Sequence, residues 1–476
     1  MVVGDISTGT GVLVIGGGPA GYTAAIRCGQ LDLDVTLVER SAVGGTCLTT
    51  GCIPSKALIT ATDVAYEASE AEHMGIHADP VVDVAQLFSW KDGIVDQLTS
   101  GVEKLCEANG VSIIDGTAEF VDEDTARVAH ADEGRGSESI QFEHAIIATG
   151  SRPMEIPGFE IDGDRIVSST EALDIESAPD ALLIIGGGYI GMELAGVYAK
   201  IGTEVTVVEM LDSILPGYDS DLTRPVERQA RRLGIEIHTE TVADEWKQTP
   251  DDRVRVMTKM ANGDSSEEYV VDAVLVAVGR QPVTTTVNLD AVDVETDDNG
   301  FIQTDEQMRT GVEHIFAVGD VAGEPMLAHK GMTEGEVAAA AIAGEPAAFD
   351  YQAVPAAVFT DPEIATVGLT AEAAEDEGFS VVIGQFPFRA SGRALSIGST
   401  DGFVKIVADA ESGFILGGQV VGPEASELIA EIGVAIEFGA TLADISGTIH
   451  THPTLSEAVR EAAEHAQGQA IHTLNR

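Results

Sequence analysis

The stretch VLVIGGGPAGYTAA, residues 12–25, decides the fold, because it passes from a β-branched run to a helical pattern across a glycine-rich turn. Gly16, Gly18 and Gly21 fit G-x-G-x-x-G, in which the glycines make the turn, admit a pyrophosphate and let helix and strand pack closely. A second strand, DVTLVER, ends in Glu39, where a carboxylate would bind a ribose hydroxyl. A plain strand–helix turn is the alternative, but the strand before and the helix after favour a dinucleotide site.

The same pattern returns in residues 181–210, which read ALLIIGGGYIGMELAGVYAKIGTEVTVVEM. Gly186, Gly188 and Gly191 make the second turn, and Glu209 ends the following strand. Two such units predict either two dinucleotides or a duplicated fold with one inactive copy. A carboxylate accepts from a free 2′-hydroxyl and repels a 2′-phosphate, and no arginine closely follows Glu209, so this site favours NAD over NADP.

Three further glycine signals extend this organisation. HAIIATGSRP and AVLVAVGRQP are matching buried strands that end in Gly150 and Gly279, so we interpret them as the closing strands of two nucleotide-binding domains. IFAVGDVAG is a strand that leads to Asp320. An aspartate there is either an ordinary helix N-cap or a ligand of a polyol chain.

Composition bounds the class of protein. A length of 476 residues, 44% of them hydrophobic, suits roughly three domains, and 52 glycines suit an α/β fold with tight turns. The net charge of −53 disfavours nucleic acid and anionic membranes as partners. Because the acids are spread along the chain, a protein that works in concentrated salt is the preferred interpretation over an acidic partner-binding tail. No apolar run is long enough to span a bilayer and the N-terminus lacks signal-peptide features, so we expect a cytoplasmic protein.

Two of the four cysteines lie close together in GGTCLTTGCIPSK, residues 44–56. Cys28 and Cys106 fall on apolar helix patterns and are predicted to be inert packing residues. Cys47 and Cys52 are five residues apart, which on a regular helix is beyond the roughly 7 Å reach of a disulfide between Cα atoms.

The segment around the cysteine pair therefore cannot be a regular helix if the two sulfurs are to bond. Gly51 permits such a break, and Pro54 suits the first turn of a helix that starts near Cys52. A thiolate at a helix N-terminus has a lowered pKa. A redox-active pair is the favoured interpretation. Two structural thiols or half of a metal site are the alternatives, and no further metal ligands stand nearby, so no metal is expected.

The whole set of motifs resembles the FAD-dependent pyridine nucleotide–disulfide oxidoreductases. The redox segment, both glycine turns, the ATG and VGR strand ends, the AVGD strand and the C-terminal HTHPTLSE match that family in order over nearly the whole chain. GCIPSK and HPTLSEA are typical of the branch that oxidises dihydrolipoamide. Three related branches differ from this chain. Glutathione reductases carry basic residues for NADP where this chain has Glu209, and the soluble transhydrogenases lack the first cysteine, which is present here as Cys47. The mercuric reductases have an additional C-terminal cysteine pair, whereas this chain ends in IHTLNR.

The resemblance implies a role for each part of the site. FAD would occupy the first turn and NAD the second. Cys47 would be the exposed thiol that exchanges with the substrate dithiol, and Cys52 would lie against the flavin and form a charge-transfer contact when reduced. Lys56 would stabilise an electron-rich flavin and pair with Glu193. A solvated helix charge is the plainer interpretation of Lys56.

The implied ligands fall into two sets. Those for FAD are Gly16, Gly18, Gly21, Glu39, Gly45, Thr46, Lys56, Ala118, Gly150, Asp320 and Ala328. Those for NAD are Gly186, Gly188, Gly191, Glu209 and Gly279.

The C-terminal stretch IHTHPTLSEAVREAAEHA offers two histidines, His450 and His452, as the general base that a dithiol needs before it can attack a disulfide. The resemblance assigns this role to His452, which Pro453 pushes into an extended conformation. Glu457 would orient its imidazole and completes the implied catalytic set. Thr454 and Glu457 also fit a capping box, and the sequence leaves the division between these roles open.

The implied architecture is a homodimer whose active site combines His452 with the disulfide of the other subunit. We expect two doubly wound dinucleotide-binding domains and a C-terminal α/β dimerisation domain. The predicted boundaries are 1–153 for FAD and the redox pair, 154–283 for NAD, 284–352 for a central domain and 353–476 for the interface.

The implied activity is oxidation of protein-bound dihydrolipoamide to lipoamide with reduction of NAD⁺. Two alternatives stay open: an NAD-linked reductase of another small disulfide, and a flavoprotein that helps to assemble a lipoyl complex without turnover. The intact pair of Cys47 and Cys52 and the presence of His452 disfavour the second alternative.

Overall fold

The computed structural model describes residues 7–132, 136–175, 177–261, 263 and 266–475. The chain divides into two compact units, Met1–Ser177 with Val278–Asp350 and Ala178–Ala277 with Tyr351–Arg476. Each unit contains both helices and strands, which confirms the predicted α/β class. The units group the chain more coarsely than the four predicted domains, whose boundaries stay predictions.

Strands and helices are numbered in chain order. The strands in the described residues are β1 (Ser7–Ile15), β2 (Val35–Glu39), β3 (Val111–Asp122), β4 (Thr125–His130), β5 (Ser137–Ile147), β6 (Ser151–Pro153), β7 (Ile166–Val167), β8 (Ala181–Ile185), β9 (Glu204–Val208), β10 (Glu236–His238), β11 (Thr241–Gln248), β12 (Val254–Met260), β13 (Ser266–Val271), β14 (Ala273–Val276), β15 (Arg280–Pro282), β16 (Ile315–Ala317), β17 (Ala356–Val358), β18 (Glu363–Gly368), β19 (Val381–Pro387), β20 (Phe403–Asp409) and β21 (Ile415–Gly422). The α-helices there are α1 (Pro19–Gln30), α2 (Gly45–Thr49), α3 (Cys52–Glu70), α4 (Val84–Ala108), α5 (Ser169–Ala172), α6 (Tyr189–Lys200), α7 (Ser220–Arg232), α8 (Ala328–Ile342), α9 (Ala371–Asp376), α10 (Gly392–Ile397), α11 (Ala425–Glu437), α12 (Leu442–Gly447) and α13 (Glu457–Ala466). Short 3-10 helices span Ala71–Met74, Leu289–Val292, Gly319–Val321 and Phe388–Ala390.

The first unit is built on a six-stranded sheet in the order β1-β2-β3-β4-β5-β16, in which β1 also pairs with β5. Strands β3, β2, β1, β5 and β16 pair in parallel, and β4 joins β3 to β5 antiparallel. Parallel strands end at one edge of a sheet, which is where ligands bind in such folds. Gly16, Glu39, Gly150 and Asp320 each end or closely follow one of these strands and therefore meet at that edge.

Both faces of this sheet are buried. Val12 and Val14 of β1 belong to one apolar cluster, whereas Leu13 and Ile15 belong to another. Successive side chains of a strand point to opposite faces, so an uninterrupted apolar run is what a strand covered on both sides requires. This burial explains why the strand that precedes the glycine turn reads VLVI.

Small residues let α1 and α8 pack closely in the first unit. A Cβ atom added to Gly335 would lie 2.5 Å from the carbonyl oxygen of Ala20, and one added to Gly331 would lie 3.0 Å from the Cα of Gly319. Larger side chains would separate the helices. This packing places the start of α8, at Ala328, close to the strand end that carries Gly319.

The second unit contains a parallel sheet whose strands follow the order β10-β9-β8-β14, a three-stranded antiparallel sheet of β11, β12 and β13, and a five-stranded antiparallel sheet in the order β17-β18-β21-β20-β19. Each residue of β8, which reads ALLII, is buried. Helices α11 and α13 contribute to the apolar core of the antiparallel sheet, where Ile432 and Val459 are fully buried.

Among the residues that the structure describes, no helix combines the length and the apolar character needed to cross a membrane.

Candidate active site

The first glycine turn leaves room and hydrogen-bond donors for a pyrophosphate. Gly16 has φ +105°, and a Cβ atom there would lie 2.3 Å from the carbonyl oxygen of Ala148. A Cβ atom on Gly21 would lie 1.9 Å from the carbonyl oxygen of Gly16. Helix α1 is capped by Gly18, which has no side chain to bond the amides of the first turn. An anion can therefore approach these amides, and the residues present fit a dinucleotide.

Glu39 ties the end of β2 to this turn. Its side chain is 8% exposed, its Oε2 accepts a hydrogen bond from the Gly17 amide at 2.6 Å, and its Oε1 accepts one from the Ser41 amide at 2.9 Å. Each carboxylate oxygen has a second lone pair that can accept from a hydroxyl. The carboxylate thus shapes the turn, and its contact with a ribose stays a prediction.

The two clustered cysteines lie on different helices. Cys47 belongs to α2, Cys52 is the first residue of α3, and Gly51 is the N-cap residue of α3. A Cβ atom on Gly51 would lie 2.7 Å from the carbonyl oxygen of Thr46, so the break between the helices needs a glycine. The predicted interruption and the predicted helix start near Cys52, with Pro54 in the first turn, are confirmed.

The redox segment is folded directly onto the first glycine turn. Gly44 has φ +117°, and its amide donates to the carbonyl oxygen of Gly17 at 2.7 Å. A Cβ atom on Gly45 would lie 2.5 Å from the Cα of Gly18. Gly45 and the exposed Thr46, both predicted FAD ligands, therefore lie beside the turn that would hold the pyrophosphate.

The Cys47 and Cys52 side chains are hydrogen bonded to each other and are not joined by a disulfide. The hydrogen bond to Cys52 and burial raise the pKa of Cys47, while the nearby Lys56 acts in the opposite direction. Cys47 is half-buried and Cys52 is exposed in the chain alone, which is the reverse of the order that the resemblance implies for the exchanging thiol. The separate roles of the two thiols stay predictions.

Lys56 places a cation beside the pair. It lies one helical turn after Cys52 on α3, and its positive charge acts to lower the pKa of Cys47. Glu193, its implied partner, lies on α6 in the second unit, where it is 5% exposed and its Oε1 accepts from the Phe359 amide at 2.9 Å. The pairing of Lys56 with Glu193 stays a prediction.

Asp320 is held by a polar network in the first unit. Its Oδ2 accepts a hydrogen bond from the Ser151 hydroxyl at 2.5 Å, and Ser151 in turn accepts from the Nε of Arg280 at 2.7 Å. Asp320 is the middle residue of the 3-10 helix Gly319–Val321, whose N-cap is Val318. The alternative that Asp320 is a helix N-cap is therefore wrong, and its role as a polyol ligand stays a prediction.

The remaining predicted FAD residues also lie in the first unit. Ala328 is the first residue of α8, whose N-cap Leu327 offers no side-chain hydrogen bond, so the Ala328 amide can serve a ligand. Gly150 has φ +71° and follows β5. The Ala118 side chain is 2% exposed and packs in an apolar cluster, so only its backbone is suited to contact a cofactor.

The second glycine turn repeats the geometry of the first. Gly186 has φ +108°, α6 begins at Tyr189, and a Cβ atom on Gly191 would lie 2.1 Å from the carbonyl oxygen of Gly186. A Cβ atom on Gly188 would meet nothing within 4 Å. The helix entrance is open here too, and it fits a second dinucleotide.

Glu209 occupies the position in this turn that Glu39 occupies in the first. Its Oε2 accepts from the Gly187 amide at 2.7 Å, and its Oε1 accepts from the Leu211 amide at 2.8 Å. Of the five predicted NAD residues, the three turn glycines and Glu209 lie in the second unit, whereas Gly279 lies in the first. The Gly279 carbonyl accepts from the Met154 amide at 3.0 Å.

His452 and Glu457 form a hydrogen-bonded pair in the second unit. The distance from His452 Nδ1 to Glu457 Oε1 is 2.9 Å, and the His452 side chain is 79% exposed. Burial alone would raise the pKa of Glu457, but the Thr454 amide and His452 outweigh it and lower that pKa. A carboxylate that stays ionised can hold an imidazole in one orientation and stabilise its protonated form.

Glu457 makes a contact that each of its two interpretations requires, and its role in orienting the imidazole stays a prediction. Its Oε2 accepts from the Thr454 amide at 2.9 Å, which is one half of a capping box. The Thr454 hydroxyl instead donates to the Thr451 carbonyl at 2.7 Å, so the other half is missing. Each oxygen of the carboxylate thus serves a different partner.

Several residues beside the predicted site were not predicted from the sequence. Ser151 bonds to the predicted Asp320, Arg280 bonds to Ser151, and Gly44 bonds to Gly17 within the first glycine turn. The buried pair of Lys330 and Glu334 lies behind the Asp320 loop, where Glu334 accepts from the Gly319 amide at 2.7 Å. Ser151 and Arg280 directly follow the glycines of the ATG and VGR signals, so polar side chains next to strand ends were the available signal for these two residues.

Two dinucleotide turns, one of them in contact with the segment that carries a pair of cysteines, define an oxidoreductase that joins dinucleotide and thiol chemistry. The chain belongs to the pyridine nucleotide-disulphide oxidoreductase family, whose model matches residues 10–335. The model of the dimerisation domain of the same family matches residues 354–463. The family resemblance of the sequence is thereby confirmed.

Individual members of the family show which of its enzymes this chain is similar to. The chain is 63% identical to the dihydrolipoyl dehydrogenase of Halobacterium salinarum over 476 residues, which is 100% of both chains. It is 47% identical to the dihydrolipoyl dehydrogenase of Geobacillus stearothermophilus over 477 residues, again covering 100% of both. Among solved structures, LpdA from Mycobacterium tuberculosis has a TM-score of 0.88 at 28% identity and covers 95% of this chain and 99% of its own.

Proposed function

We propose that this chain oxidises protein-bound dihydrolipoamide to lipoamide and reduces NAD⁺, with FAD and the Cys47–Cys52 pair as the redox groups. The observation that carries the proposal is the hydrogen-bonded thiol pair at the break between α2 and α3, beside Lys56 and against the first glycine turn. The choice of substrate is supported by identities of 63% and 47% to dihydrolipoyl dehydrogenases over the full length of the chain.

Thiol exchange begins from the Cys47–Cys52 disulfide. A sulfur of the substrate dithiol attacks Cys47, which forms a new S–S bond and releases Cys52 as a thiolate. The second substrate sulfur then attacks the first, closes the substrate disulfide and releases Cys47. The substrate loses two electrons and two protons, and the cysteines gain the two electrons.

His452 accepts protons from the substrate thiols, because only a thiolate attacks a disulfide at a useful rate. Glu457 fixes the Nδ1 side of the ring at 2.9 Å, which leaves Nε2 as the atom that takes the proton. The carboxylate stabilises the imidazolium that forms. In the proposed homodimer, for which the dimerisation-domain match is the support, the His452 of one subunit serves the cysteines of the other.

FAD, when bound, carries the two electrons from the thiols to NAD⁺. The first turn, Gly45 and Asp320 would hold FAD. The second turn would hold NAD, with Glu209 as acceptor for the ribose 2′-hydroxyl. The same carboxylate would repel the extra phosphate of NADP.

The proposal includes a cytoplasmic location and concentrated salt as the working solvent. A substrate that must be presented as a dithiol needs a reducing compartment. The excess of acidic residues would be screened at high salt. Four of the eight lysines, Lys91, Lys200, Lys330 and Lys405, have side chains that are at most 11% exposed and are paired with carboxylates, so half of the lysines add little positive charge to the surface.

An assay with alternative substrates tests the proposal. Purified, FAD-loaded protein in molar KCl is supplied with dihydrolipoamide or reduced glutathione, each with NAD⁺ or NADP⁺. We expect fast oxidation only with dihydrolipoamide and NAD⁺. Faster oxidation of glutathione, a preference for NADP⁺, or no turnover with dihydrolipoamide would each contradict the proposed function.

A further inference from the structure

The segment of residues 448–456 carries the predicted base between α12 and α13 and contains neither helix nor strand. His452 itself is 79% exposed, so packing of its own side chain does little to fix its position. Its place depends on Glu457 and on how firmly the backbone of the segment is held. A displacement of about 1 Å at a reacting group can cost about 100-fold in rate.

His450, two residues before the base, bonds this segment to a neighbouring helix. Its side chain is only 6% exposed, and its Nε2 lies 2.7 Å from Oε1 of Glu431 on α11. Its Nδ1 lies 3.0 Å from the Thr448 carbonyl oxygen. Both ring nitrogens are therefore engaged, unlike those of an exposed surface histidine.

The partners of His450 determine where its hydrogens lie. A carbonyl oxygen only accepts, so Nδ1 must carry a hydrogen and donate to Thr448. Nε2 faces a carboxylate oxygen, so both nitrogens of this buried ring lie against oxygens that can accept a hydrogen bond. His450 forms an ion pair with Glu431 whenever the imidazole is protonated.

We infer that His450 and Glu431 are positioning residues for the base, which hold the segment that carries His452 and act electrostatically on the pair of His452 and Glu457. This inference rests on the proposed function. His450 contributes to the lowered pKa of Glu457, so its charge reaches the catalytic pair. Glu431 and Glu457 are the titratable groups that interact with His450 in the described contacts, and Glu457 is in turn bonded to His452.

The variants His450→Gln and Glu431→Gln separate anchoring from charge. Either change weakens the bond to α11, so we expect kcat/KM for dihydrolipoamide to fall by between about 10-fold and 100-fold, chiefly in kcat. His450→Gln removes a side chain whose positive charge, when it is protonated, acts on the pair of Glu457 and His452. Without that charge the base is easier to protonate, so the acid limb of the pH profile should move to higher pH. Glu431→Gln removes an anion, and the acid limb should move to lower pH.

A second reaction and a matched variant serve as controls. Reduction of an artificial dye by NADH does not use the base, so both variants should retain it within about twofold. His472→Gln breaks another histidine–glutamate pair, in which His472 Nδ1 lies 2.5 Å from Oε1 of Glu461 on α13, and should leave the pH profile unchanged.

Three outcomes would contradict the role of His450 and Glu431 as positioning residues. Near-normal dihydrolipoamide oxidation in both variants, an equal loss of both reactions, or movement of the acid limb in the same direction would each overturn the inference. If the unmodified protein fails to oxidise dihydrolipoamide, the proposed function fails and the inference fails with it.

Discussion

The two glycine turns of this chain share the same N-cap backbone angles and the same hydrogen bonds but differ in the segments attached to them. Gly18 and Gly188 cap their helices with φ,ψ of −68°, −178° and −71°, −177°. Glu39 and Glu209 are 8% and 7% exposed. Each carboxylate accepts from the amide of the middle glycine and from the amide two residues beyond itself.

The difference begins five or six residues after each glutamate. In the first turn, the Gly17 carbonyl accepts from Gly44, which has φ +117°. In the second, the Gly187 carbonyl accepts from Leu215, which is 1% exposed and has φ +50°. The same hydrogen bond is thus made by a glycine in one copy and by a buried leucine in the other.

This exchange of residue type changes the use of the turn. Gly44 is followed by Gly45, and these two glycines let α2 start against the turn and carry Cys47 to its edge. In the second copy, the buried Leu215 takes the place of Gly44. No described segment approaches Gly188 there, because a Cβ atom on Gly188 would meet nothing within 4 Å. One duplicated frame therefore supplies a nucleotide site with attached thiols and a nucleotide site without them.

The largest expected effect comes from removing the thiols that distinguish the first copy. Cys47→Ser and Cys52→Ser should each lower dihydrolipoamide oxidation by at least about 1,000-fold, because loss of a covalent catalyst removes the pathway. FAD content and NAD binding should persist, since neither turn is altered. Cys52→Ser alone should also lose the long-wavelength absorption of the reduced, FAD-loaded protein.

Absorption spectra and turnover assays of the two variants check this prediction. If Cys47→Ser, rather than Cys52→Ser, loses the long-wavelength band, the roles of the two thiols are exchanged. Such a result would agree with their order of exposure in the chain alone.

The next effect concerns a residue outside both copies. His452→Ala should lower dihydrolipoamide turnover by at least about 100-fold, the low end of general-base contributions. Neither nucleotide site should be affected, so FAD content and dye reduction by NADH should stay within about twofold of the unmodified protein. Turnover close to normal would remove His452 from the mechanism.

The pH dependence of this base follows from its partner. Glu457 has a lowered pKa, so it is ionised at neutral pH and stabilises the protonated imidazole of His452 there. This stabilisation is lost only as the pH falls through the lowered pKa of Glu457. The Glu457→Gln variant should lose this dependence in the acid range.

Local patterns in the sequence predicted the parts of the site that lie within one turn or one helix. The glycine spacings, the helix start at Cys52 and the adjacency of His452 to Glu457 depend on a few neighbouring residues. The bond from Ser151 to Asp320 joins residues 169 positions apart, and no local pattern encodes it. The order of strands in the sheet brings such residues together.

A different physical reason hid the second role of the glutamates. The sequence predicted Glu39 and Glu209 as ribose ligands, because acidic residues at these strand ends have that use. Their bonds to Gly17 and Gly187 became visible only with the backbone path of each turn. A residue that shapes its own site leaves the same sequence signal as one that only binds the ligand.

A matched pair of glycine substitutions tests whether the redox segment is what separates the copies. Gly45→Ala would place a Cβ atom 2.5 Å from Gly18 at φ +56°, so we expect loss of at least about 2 kcal/mol in the free energy of unfolding and weaker FAD retention. Gly188→Ala has open space and extended backbone, so folding should be nearly unchanged. Chemical denaturation and FAD release compare the two. Equal stability of both variants would contradict the close approach of Gly45 to the turn.

A smaller effect should come from the glutamates. Glu209→Arg should raise KM for NAD⁺ by about 10-fold and permit some use of NADP⁺, because loss of a charged hydrogen-bond partner costs about 1.5–3 kcal/mol. Glu209→Gln keeps an oxygen for one amide and should change NADP⁺ use less. Glu39→Gln is the matched control and should alter FAD retention without changing the preference for NAD⁺. Unchanged kcat/KM for both nucleotides in Glu209→Arg would show that Glu209 does not contact the ribose.

The smallest effect is expected at equivalent buried positions of the two helices, where α1 has Cys28 and α6 has Tyr198. Cys28 is 0% exposed and Tyr198 is 3% exposed, so each fills the core behind its turn.

Burial raises the pKa of Cys28 to about 12 and that of Cys106 to about 11. At pH 8 the thiolate fraction is then about one in ten thousand for Cys28 and about one in a thousand for Cys106, and each fraction rises only as the pH approaches the raised value. We expect iodoacetamide to modify the exposed Cys52 of the native, reduced protein and all four cysteines after denaturation, as counted by mass spectrometry. Cys28→Ala should leave kcat within about twofold, and native modification of Cys28 at pH 8 would contradict its assignment as a packing residue.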